Sequence, residues 1–482
     1  MKNIFSASTV WLAAFLFILF HSTSGAQTND RILEAFISDS DLQGAIVGIH
    51  ITELETGKEI QALQKNKLFI PASTLKTLYV FETLDKYGEN FRYETALSIS
   101  GHIKNNILWG DVVIQASGDP SLGGKRAGED FRDFMDSIVS ILKTNHITRI
   151  KGNLIMQLPA DIYPAHGSWP IEDIGNYYGS GAWGFNFNDN TYYIHLQQKP
   201  LPGQKVDIKR TEPVIPGLVL ISNVITGEKK SGDNAYIYGD PMTYYRTIFG
   251  TIPAGRDTFR IKGSIPNPPK TFLRLLKIHL RQNGIKIEGH KKIKTSPGTL
   301  LKLKKLWTKK SRKLEFLAQQ TMNYSINHYS EALARLLIQG KNPQDGYLSK
   351  DSINTYFNSI GFQHINLEDG SGLAPDNLIA PSEFTRYFQK IYRQKGLKYL
   401  QKYLPQAGKD GYAKYFLKNK PVQSRIWLKS GSVSKVQNYV GIFQSASGKY
   451  YTFAIMVNHF STTHAQVKKS IEKYLQQLIL EL

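Results

Sequence analysis

The stretch IPASTLKTLYVFETL, residues 70–84, decides how the rest of the chain is interpreted. It begins like the start of a helix, and it carries Ser73 and Lys76 three residues apart, on one face of that predicted helix. Such a pair is either a capping serine with a nearby surface lysine or a nucleophile with its base. The same Ser-x-x-Lys spacing recurs at residues 140–143, 432–435 and 470–473, so the spacing alone cannot decide.

Outward from this stretch, the sequence predicts an α/β fold. Residues 45–63 indicate two strands around a Glu-Thr-Gly-Lys turn. From about residue 95 to 267, short β-like runs alternate with Gly, Pro, Asn and Asp turns, which predicts one or two β-rich inserts. Helical and strand patterns follow to the C-terminus. We therefore expect an α/β/α sandwich built from both ends of the chain and interrupted early by the insert.

The first 26 residues are typical of a secretory signal. Lys2 precedes an apolar run of 11 residues, Val10–Phe20, and the small residues up to Ala26 suit cleavage there. The run is short for a membrane span. We expect an exported, soluble mature protein starting near Gln27, in the periplasm.

Composition excludes several kinds of chemistry. The chain has no cysteine, which rules out disulfides, thiol catalysis, zinc–thiolate sites and a lipid anchor on cysteine. The 12 histidines show no His-Glu-x-x-His spacing, and no phosphate-binding Gly-x-x-x-x-Gly-Lys loop is present. We predict neither a metal nor another cofactor, and we interpret His328 as a packing or capping residue.

The net charge is +21 at pH 7, and much of the excess lies in residues 276–313. No nucleic-acid-binding motif accompanies it, and export argues against nucleic acid as a partner. The basic run is either a solvated surface or a site for anionic cell-wall polymers or lipid head groups. The amphipathic C-terminal helix, residues 465–482, could lie on a membrane, but we expect it to pack on the sheet of its own domain.

Three short motifs occur in an order that suits acyl transfer: STLK at 73–76, SIN at 325–327 and KSG at 429–431. At a helix N-terminus, Ser73 would face free N–H groups that favour developing negative charge. Lys76 can act as its base only if its pKa falls, and burial or a second cation such as Lys429 would lower it. Each motif also has a structural explanation: a cap, a turn residue and a surface lysine.

The other motif positions can bind substrate or transfer protons. Ser325 could pass a proton towards the leaving group, and Asn327 could hold the substrate amide. Gly431 would leave room for a substrate to lie beside the strand. The backbone N–H groups of Ser73 and Ser432 would form the oxyanion hole.

These motifs and several further segments resemble the D-alanyl-D-alanine carboxypeptidases/endopeptidases of the class C low-molecular-mass penicillin-binding type. The Ser-x-x-Lys, Ser-Asp-Asn and Lys-Thr-Gly set is typical of serine β-lactamases and penicillin-binding proteins. The segments that carry the closer resemblance are GDPSL (118–122), WPIEDIGNYYGSGAWGFNFNDN (169–190), NYSINHYSEALAR (323–335) and EDGSGLAPDNLIAP (368–381).

The resemblance implies a penicilloyl-serine transferase core, β-lactamase-like, with two nested insert domains. We place the first part of this transpeptidase-like domain at 27–95, the inserts at 96–267 and its second part at 268–482. The resemblance makes Ser73 the nucleophile and Lys76 the base. Lys429, Ser430 and Gly431 would form the third motif, and a structural role near the cleft is expected for residues 369–372.

Three substitutions depart from the family pattern: Ile326 stands where Asp is common, Ser430 where Thr is common, and Ser330 where Ala is common. We expect Ile326 to point away from the chemistry. Ser430 keeps a hydroxyl that can bond a substrate carboxylate. Residues 435–437 replace smaller residues, which leaves the substrate preference open.

The expected function is a periplasmic serine DD-peptidase. It would cleave D-Ala–D-X bonds of peptidoglycan stem peptides and be inhibited by β-lactams. A β-lactamase is one alternative, but the sequence shows no extra carboxylate motif for fast deacylation. A catalytically silent peptidoglycan-binding protein is another. Oligomeric state and the ligand of the inserts are not predicted.

Overall fold

A computed structural model describes residues 29–160, 163–295, 302–340 and 348–482. The predicted signal segment lies outside the described residues. The helices, numbered in chain order, are α1 (29–37), α2 (Lys76–Tyr87), α3 (Phe131–Thr144), α4 (Ile171–Ile174), α5 (Pro268–Gln282), α6 (Leu314–Tyr324), α7 (Asn327–Gln339), α8 (Lys350–Ser359), α9 (Pro381–Lys395), α10 (Leu397–Tyr403) and α11 (His464–Glu481).

The strands are also numbered in chain order. They are β1 (Ile46–Glu53), β2 (Glu59–Leu63), β3 (Glu94–Ile99), β4 (His102–Lys104), β5 (Ile107–Trp109), β6 (Val112–Gln115), β7 (Arg149–Ile150), β8 (Leu154–Leu158), β9 (Thr191–Gln197), β10 (Asp207–Glu212), β11 (Val219–Gly227), β12 (Asn234–Tyr238), β13 (Tyr245–Pro253), β14 (Thr258–Ser264), β15 (Lys286–Ile287), β16 (Lys291–Thr295), β17 (Lys304–Lys310), β18 (Ile365–Asn366), β19 (Leu378–Ile379), β20 (Ile426–Val433), β21 (Val436–Gln444) and β22 (Tyr450–Asn458).

The chain divides into two compact units. The first, called here the sheet unit, comprises the residues up to Thr74, Gly361–Asn366 and Asn377–Leu482. Its sheet has the strand order β2-β1-β22-β21-β20, and all neighbouring strands are antiparallel. Strands from both ends of the chain therefore form one sheet, as the sequence predicts.

Side chains alternate between the two faces of the sheet along each strand, so both faces can pack against other elements, and helices cover both of them. On β1, Val47, Ile49 and Ile51 point into an apolar core that also contains side chains of α1 and α11. On the opposite face, the His50 ring hydrogen-bonds to the Thr385 hydroxyl of α9. The predicted α/β/α sandwich is confirmed, and the C-terminal helix packs on the sheet of its own unit.

The second unit, called the insert unit, comprises Leu75–Ile360 and Leu367–Asp376. It contains a five-stranded sheet of order β16-β8-β6-β3-β17 and a four-stranded sheet of order β15-β7-β5-β4. Two three-stranded sheets, β10-β9-β14 and β11-β13-β12, share one apolar core with them and with α3 and α5. Helices α2, α6, α7 and α8 contact one another in the same unit. The β-rich block is confirmed.

The insert sheets continue beyond the predicted boundary at residue 268. Strands β15, β16 and β17 pair with β7, β8 and β3, respectively. The boundaries near 95 and 268 remain a prediction, and the pairing shows that β15, β16 and β17 complete sheets that begin before residue 160. Within the described residues, no helix has the length and apolar character needed to cross a bilayer.

Candidate active site

Ser73 lies on a strained turn that leads directly into α2. Residues Ala72–Leu75 form a 3-10 turn, and α2 continues from Lys76. Ala72 is fully buried and has φ 47°, a left-handed conformation that costs a non-glycine residue about 1–3 kcal/mol. Such strain is often found beside functional residues. The N-cap position of α2 belongs to Leu75, so the structure does not give Ser73 the capping role.

Strand β20 brings Lys429–Ser432 against the Ser73 turn within the sheet unit. A Cβ atom built on Gly431 would lie 2.5 Å from the Pro71 carbonyl oxygen and 3.0 Å from the Ser73 nitrogen. A side chain at this position would collide with the turn. The absence of a side chain at Gly431 therefore accommodates the Ser73 turn, a reason that the sequence did not reveal.

Ile70, which lies just before the Ser73 turn, is held by asparagines of strands β21 and β22. The Ile70 N–H donates to Asn458 Oδ1 at 2.8 Å, and Asn438 Nδ2 donates to the Ile70 carbonyl at 2.7 Å. Beside them, Lys429 is 2 % exposed and donates from Nζ to the Ser430 carbonyl at 2.6 Å. The sheet unit thus holds the third motif and the Ser73 turn in one fixed arrangement.

The Ser432 hydroxyl has a partner at the start of α11. Its Oγ lies 3.2 Å from His464 Nδ1, which also lies 3.0 Å from Gln437 Oε1. The Ser432 side chain is therefore used in packing the β20–β21 hairpin against α11. The role predicted for Ser432 concerns its backbone N–H and stays a prediction.

Lys76, the first residue of α2, is completely buried in the insert unit. Its Nζ donates to the Ser371 carbonyl. Burial lowers the pKa of Lys76 to about 7, while the carboxylates of Asp369 and Glu331 oppose that shift. A lysine with this pKa is substantially uncharged at neutral pH and can accept a proton. The lowered pKa that the sequence argument required is therefore present, and burial is its cause.

The second motif joins α6 to α7 in the insert unit. Ser325 has φ 53°, a left-handed conformation that ends α6. Asn327 begins α7 and donates from Nδ2 to the Tyr178 carbonyl at 2.8 Å. Ile326 between them is 8 % exposed and packs in an apolar cluster with Tyr93. The expectation that Ile326 points away is confirmed.

His328 serves packing, as the sequence suggested. It is buried, its Nε2 lies 3.2 Å from the Pro120 carbonyl, and burial lowers the pKa of its ring to about 4. Its ring contacts Tyr329 edge-on. In the part of the chain that the structure describes, no group of three or more His, Cys, Asp or Glu residues could hold a metal ion.

The predicted site residues fall into two sets. The sheet unit brings Ser73 together with Lys429–Ser432, and the insert unit contains Lys76, Ser325 and Asn327. Ser73 and Lys76 are linked by the continuous helical turns at the start of α2. The sheet unit contributes a serine hydroxyl and a buried lysine, and the insert unit contributes a lysine with a lowered pKa, which are residue types that acyl transfer uses.

Sequence reasoning missed two groups that act on Lys76, the Ser371 carbonyl and the Glu331 carboxylate, and the Trp169 indole that bonds to Asp369. All belong to segments that carry the family resemblance, yet no local pattern assigned them to this site. Their distance along the chain explains this, since Trp169 and Asp369 are 200 positions apart. The resemblance of whole segments was the only signal that could have pointed to them.

Comparison with known proteins finds relatives that match almost the entire chain. The chain is 24 % identical over 485 residues to D-alanyl-D-alanine carboxypeptidase DacB of Haemophilus influenzae, covering 97 % of this chain and 96 % of the relative. The crystal structure of penicillin binding protein 4 (dacB) from the same organism superimposes with a TM-score of 0.77 at 22 % identity, over 92 % of this chain and 98 % of that one.

A second structure of that protein, complexed with a novel β-lactam, has a TM-score of 0.73 at 21 % identity and covers 94 % of this chain and 99 % of its own. The family model for the D-Ala-D-Ala carboxypeptidase 3 (S13) family matches residues 30–481, almost the entire chain. With a match of that extent, the chain belongs to the D-Ala-D-Ala carboxypeptidase 3 (S13) family and is a serine-type DD-peptidase.

Proposed function

We propose that the protein acts in the periplasm on peptidoglycan stem peptides, and that it cleaves D-Ala–D-X bonds through an acyl-enzyme on Ser73. The observation that carries this proposal is the buried Lys76, whose pKa burial lowers to about 7, one helical turn after a partly exposed serine on a strained turn. The proposed location rests on the signal-like segment at residues 1–26.

The first half of the reaction forms an ester. Uncharged Lys76 accepts the proton of the Ser73 hydroxyl, and the Ser73 oxygen attacks the carbonyl carbon of the scissile D-Ala–D-X bond. The negative charge on the carbonyl oxygen is stabilised by the backbone N–H groups of Ser73 and Ser432. When the C–N bond breaks, protonated Lys76 passes its proton through the Ser325 hydroxyl to the leaving amine, so that Ser325 keeps its own proton, Lys76 is uncharged again and the D-X product departs.

The second half hydrolyses that ester. A water molecule loses a proton to Lys76 and adds to the acyl carbon, and the C–O bond to Ser73 breaks with return of a proton to the serine. We assign Asn327 to the substrate amide and Ser430 with Lys429 to the substrate carboxylate. The same chemistry releases a terminal D-alanine or opens a crosslink, depending on what X is.

β-Lactams resemble the substrate in presenting an amide carbonyl to the serine, and we propose that they acylate Ser73. The Haemophilus influenzae relative was crystallised with a β-lactam, which supports this assignment. A stable adduct marks a peptidase, whereas rapid turnover of the compound would mark a β-lactamase.

The testing experiment incubates the purified protein with crosslinked muropeptides that end in D-Ala–D-Ala, and follows free D-alanine and the dimer-to-monomer ratio. We expect product from the wild type and none from Ser73→Ala. The matched control is Ser140→Ala, which removes an exposed serine from another Ser-x-x-Lys sequence, on α3. Ser140→Ala should retain full activity.

Equal muropeptide binding by the wild type and Ser73→Ala, with no product from either, would contradict the proposal and favour a silent binding protein. Release of D-alanine without monomers would establish a carboxypeptidase. Monomers without D-alanine would establish an endopeptidase.

A further inference from the structure

A buried carboxylate organises the loop that contacts Lys76. Asp369 is 1 % exposed, and four successive backbone N–H groups of residues 371–374 donate to its two carboxylate oxygens, at 3.2, 2.6, 3.0 and 2.7 Å. The indole N–H of Trp169 donates to Oδ2 at 2.8 Å. We call residues 369–374 the Asp369 loop. A carboxylate that accepts this many hydrogen bonds is held firmly in position.

The Asp369 loop presents one of its own carbonyls to Lys76. Ser371, whose N–H donates to Asp369, accepts the hydrogen bond from Lys76 Nζ with its carbonyl oxygen. The Asp369 carbonyl in turn accepts from the Tyr79 hydroxyl of α2 at 2.9 Å. The position of the amine is therefore set by a peptide group whose orientation Asp369 determines.

Helix α7, which follows the second motif, packs against the Asp369 loop and hydrogen-bonds to it. The Ser330 hydroxyl donates to the Gly370 carbonyl at 2.6 Å, and Glu331 Oε1 accepts from the Gly370 N–H at 3.1 Å. A Cβ atom on Gly370 would lie 2.6 Å from Ala334 Cβ, so the loop and the helix are in close contact. The serine at position 330, where alanine is common in the family, thus has a definite partner.

From these contacts we infer that Asp369 is a positioning residue for Lys76, and that Trp169 of the β-rich insert completes its set of donors. The inference rests on the proposed function, in which Lys76 is the base. It links the insert to the base through one hydrogen bond to one carboxylate.

The charges around Lys76 give this role an electrostatic part. Asp369 from the loop and Glu331 from α7 both favour the protonated form of Lys76, in opposition to burial. The pKa of Glu331 is itself raised to about 7 by burial, and nearby Arg335 acts in the opposite direction. Removing the negative charge of Asp369 should therefore lower the pKa of Lys76 further, because burial then has less to oppose it.

The test measures the rate of Ser73 acylation by a fluorescent penicillin from pH 5 to 9, on the full-length mature protein. We call the fall in acylation rate on the acid side of the pH profile the acid limb. In Asp369→Asn we expect the acid limb to move to lower pH by about one unit. We also expect the plateau rate to fall about tenfold or more, since an asparagine amide cannot accept from the donors on that side. A carboxylate that only stabilised the fold would lower the rate without moving the limb.

A second variant keeps the test decisive if Asp369→Asn does not fold. Trp169→Phe removes a single donor and retains an aromatic ring in the cluster around Leu373 and Ala374. With one donor fewer, Asp369 exerts a stronger field on Lys76, so the limb should move the other way, to higher pH. Asp376→Asn, which removes an exposed carboxylate from the same segment, is the matched control and should leave the limb in place.

The outcomes separate the two proposals. Suppose that the wild type shows an acid limb near pH 7 and that both variants fold. If the limb then stays in place in both Asp369→Asn and Trp169→Phe, the positioning role alone is overturned. A wild type that is not acylated at any pH would overturn the proposed function and this inference together.

Discussion

At the scale of single residues, the proposed function predicts that Lys76 sets the pH dependence of the enzyme. Its pKa is lowered from 10.5 to about 7 by burial, and only the unprotonated form can accept the Ser73 proton. Acylation by a penicillin should therefore fall below pH 7 and level off above it. Lys76→Arg, which stays charged throughout this range, should lose about 1000-fold or more in rate. Acylation rates measured from pH 5 to 9 test this, and a flat profile would contradict it.

Ile326 shows how a departure from the family motif is accommodated. Its side chain lies in the apolar cluster with Leu317, Tyr329 and Leu336, so Ile326→Asp would bury a carboxylate among apolar groups. We expect a loss of about 2–4 kcal/mol in the free energy of unfolding, and no gain in activity. Urea unfolding is the measurement, with Ile326→Val as the conservative control. An unchanged stability would mean that residue 326 does not need an apolar environment.

The pairing of Ser73 with Lys76 could be proposed from the sequence, because their spacing is local. The groups that contact Lys76 could not be predicted in this way. Lys76 and its acceptor Ser371 are 295 positions apart, and only the folded chain brings them together. The structure places Leu75 rather than Ser73 at the N-cap of α2, which no sequence pattern indicated.

At the scale of elements, the contact between β20 and the Ser73 turn leaves no space for an added side chain. Gly431→Ala would place a methyl group 2.5 Å from the Pro71 carbonyl oxygen and 2.9 Å from the Thr74 nitrogen, so strand and turn must separate. We expect acylation to slow about 100-fold, because a displacement of this size misplaces the nucleophile. Gly167→Ala, whose added Cβ meets nothing within 4 Å, is the control.

Stopped-flow acylation and thermal unfolding distinguish the possible results for Gly431→Ala. A large kinetic loss with a small change in melting temperature is the expected pattern. Equal kinetics in Gly431→Ala and Gly167→Ala would mean that the strand and the turn can move apart without consequence.

Strands with alternating apolar residues could be recognised from the sequence. Strands β16 and β17 could not be recognised in this way. Their sequences, KKIKT and KKLWTKK, carry lysine at most positions, and all five residues of β16 are exposed. Such edge strands form by backbone pairing with β8 and β3 rather than by burial, so they leave little apolar pattern to read.

At the scale of the whole molecule, the charge of +21 should govern where the enzyme binds. We propose that the exposed lysines of β16 bind anionic surfaces, and we expect binding to anionic phospholipid vesicles to weaken as salt rises, since the Debye length is only about 10 Å at 0.1 M. Changing Lys291, Lys292 and Lys294 to Glu should abolish the binding and leave cleavage of a soluble muropeptide unchanged.

The control is the same charge change at Lys398, Lys402 and Lys409, three exposed lysines of the sheet unit. Equal loss of vesicle binding in both triple variants would show that net charge alone is responsible. Retention of binding by both would contradict a role for the basic surface.

The pairing of β1 with β22 joins the beginning of the chain to its end. During synthesis, Ser73 leaves the ribosome early, but the strand that lies against its turn follows some 350 residues later, and β22 later still. A nascent chain therefore carries Ser73 long before it has the sheet against which the Ser73 turn is held. Under the proposed function, acylation of Ser73 would therefore begin only after β22 has been synthesised and the sheet has formed.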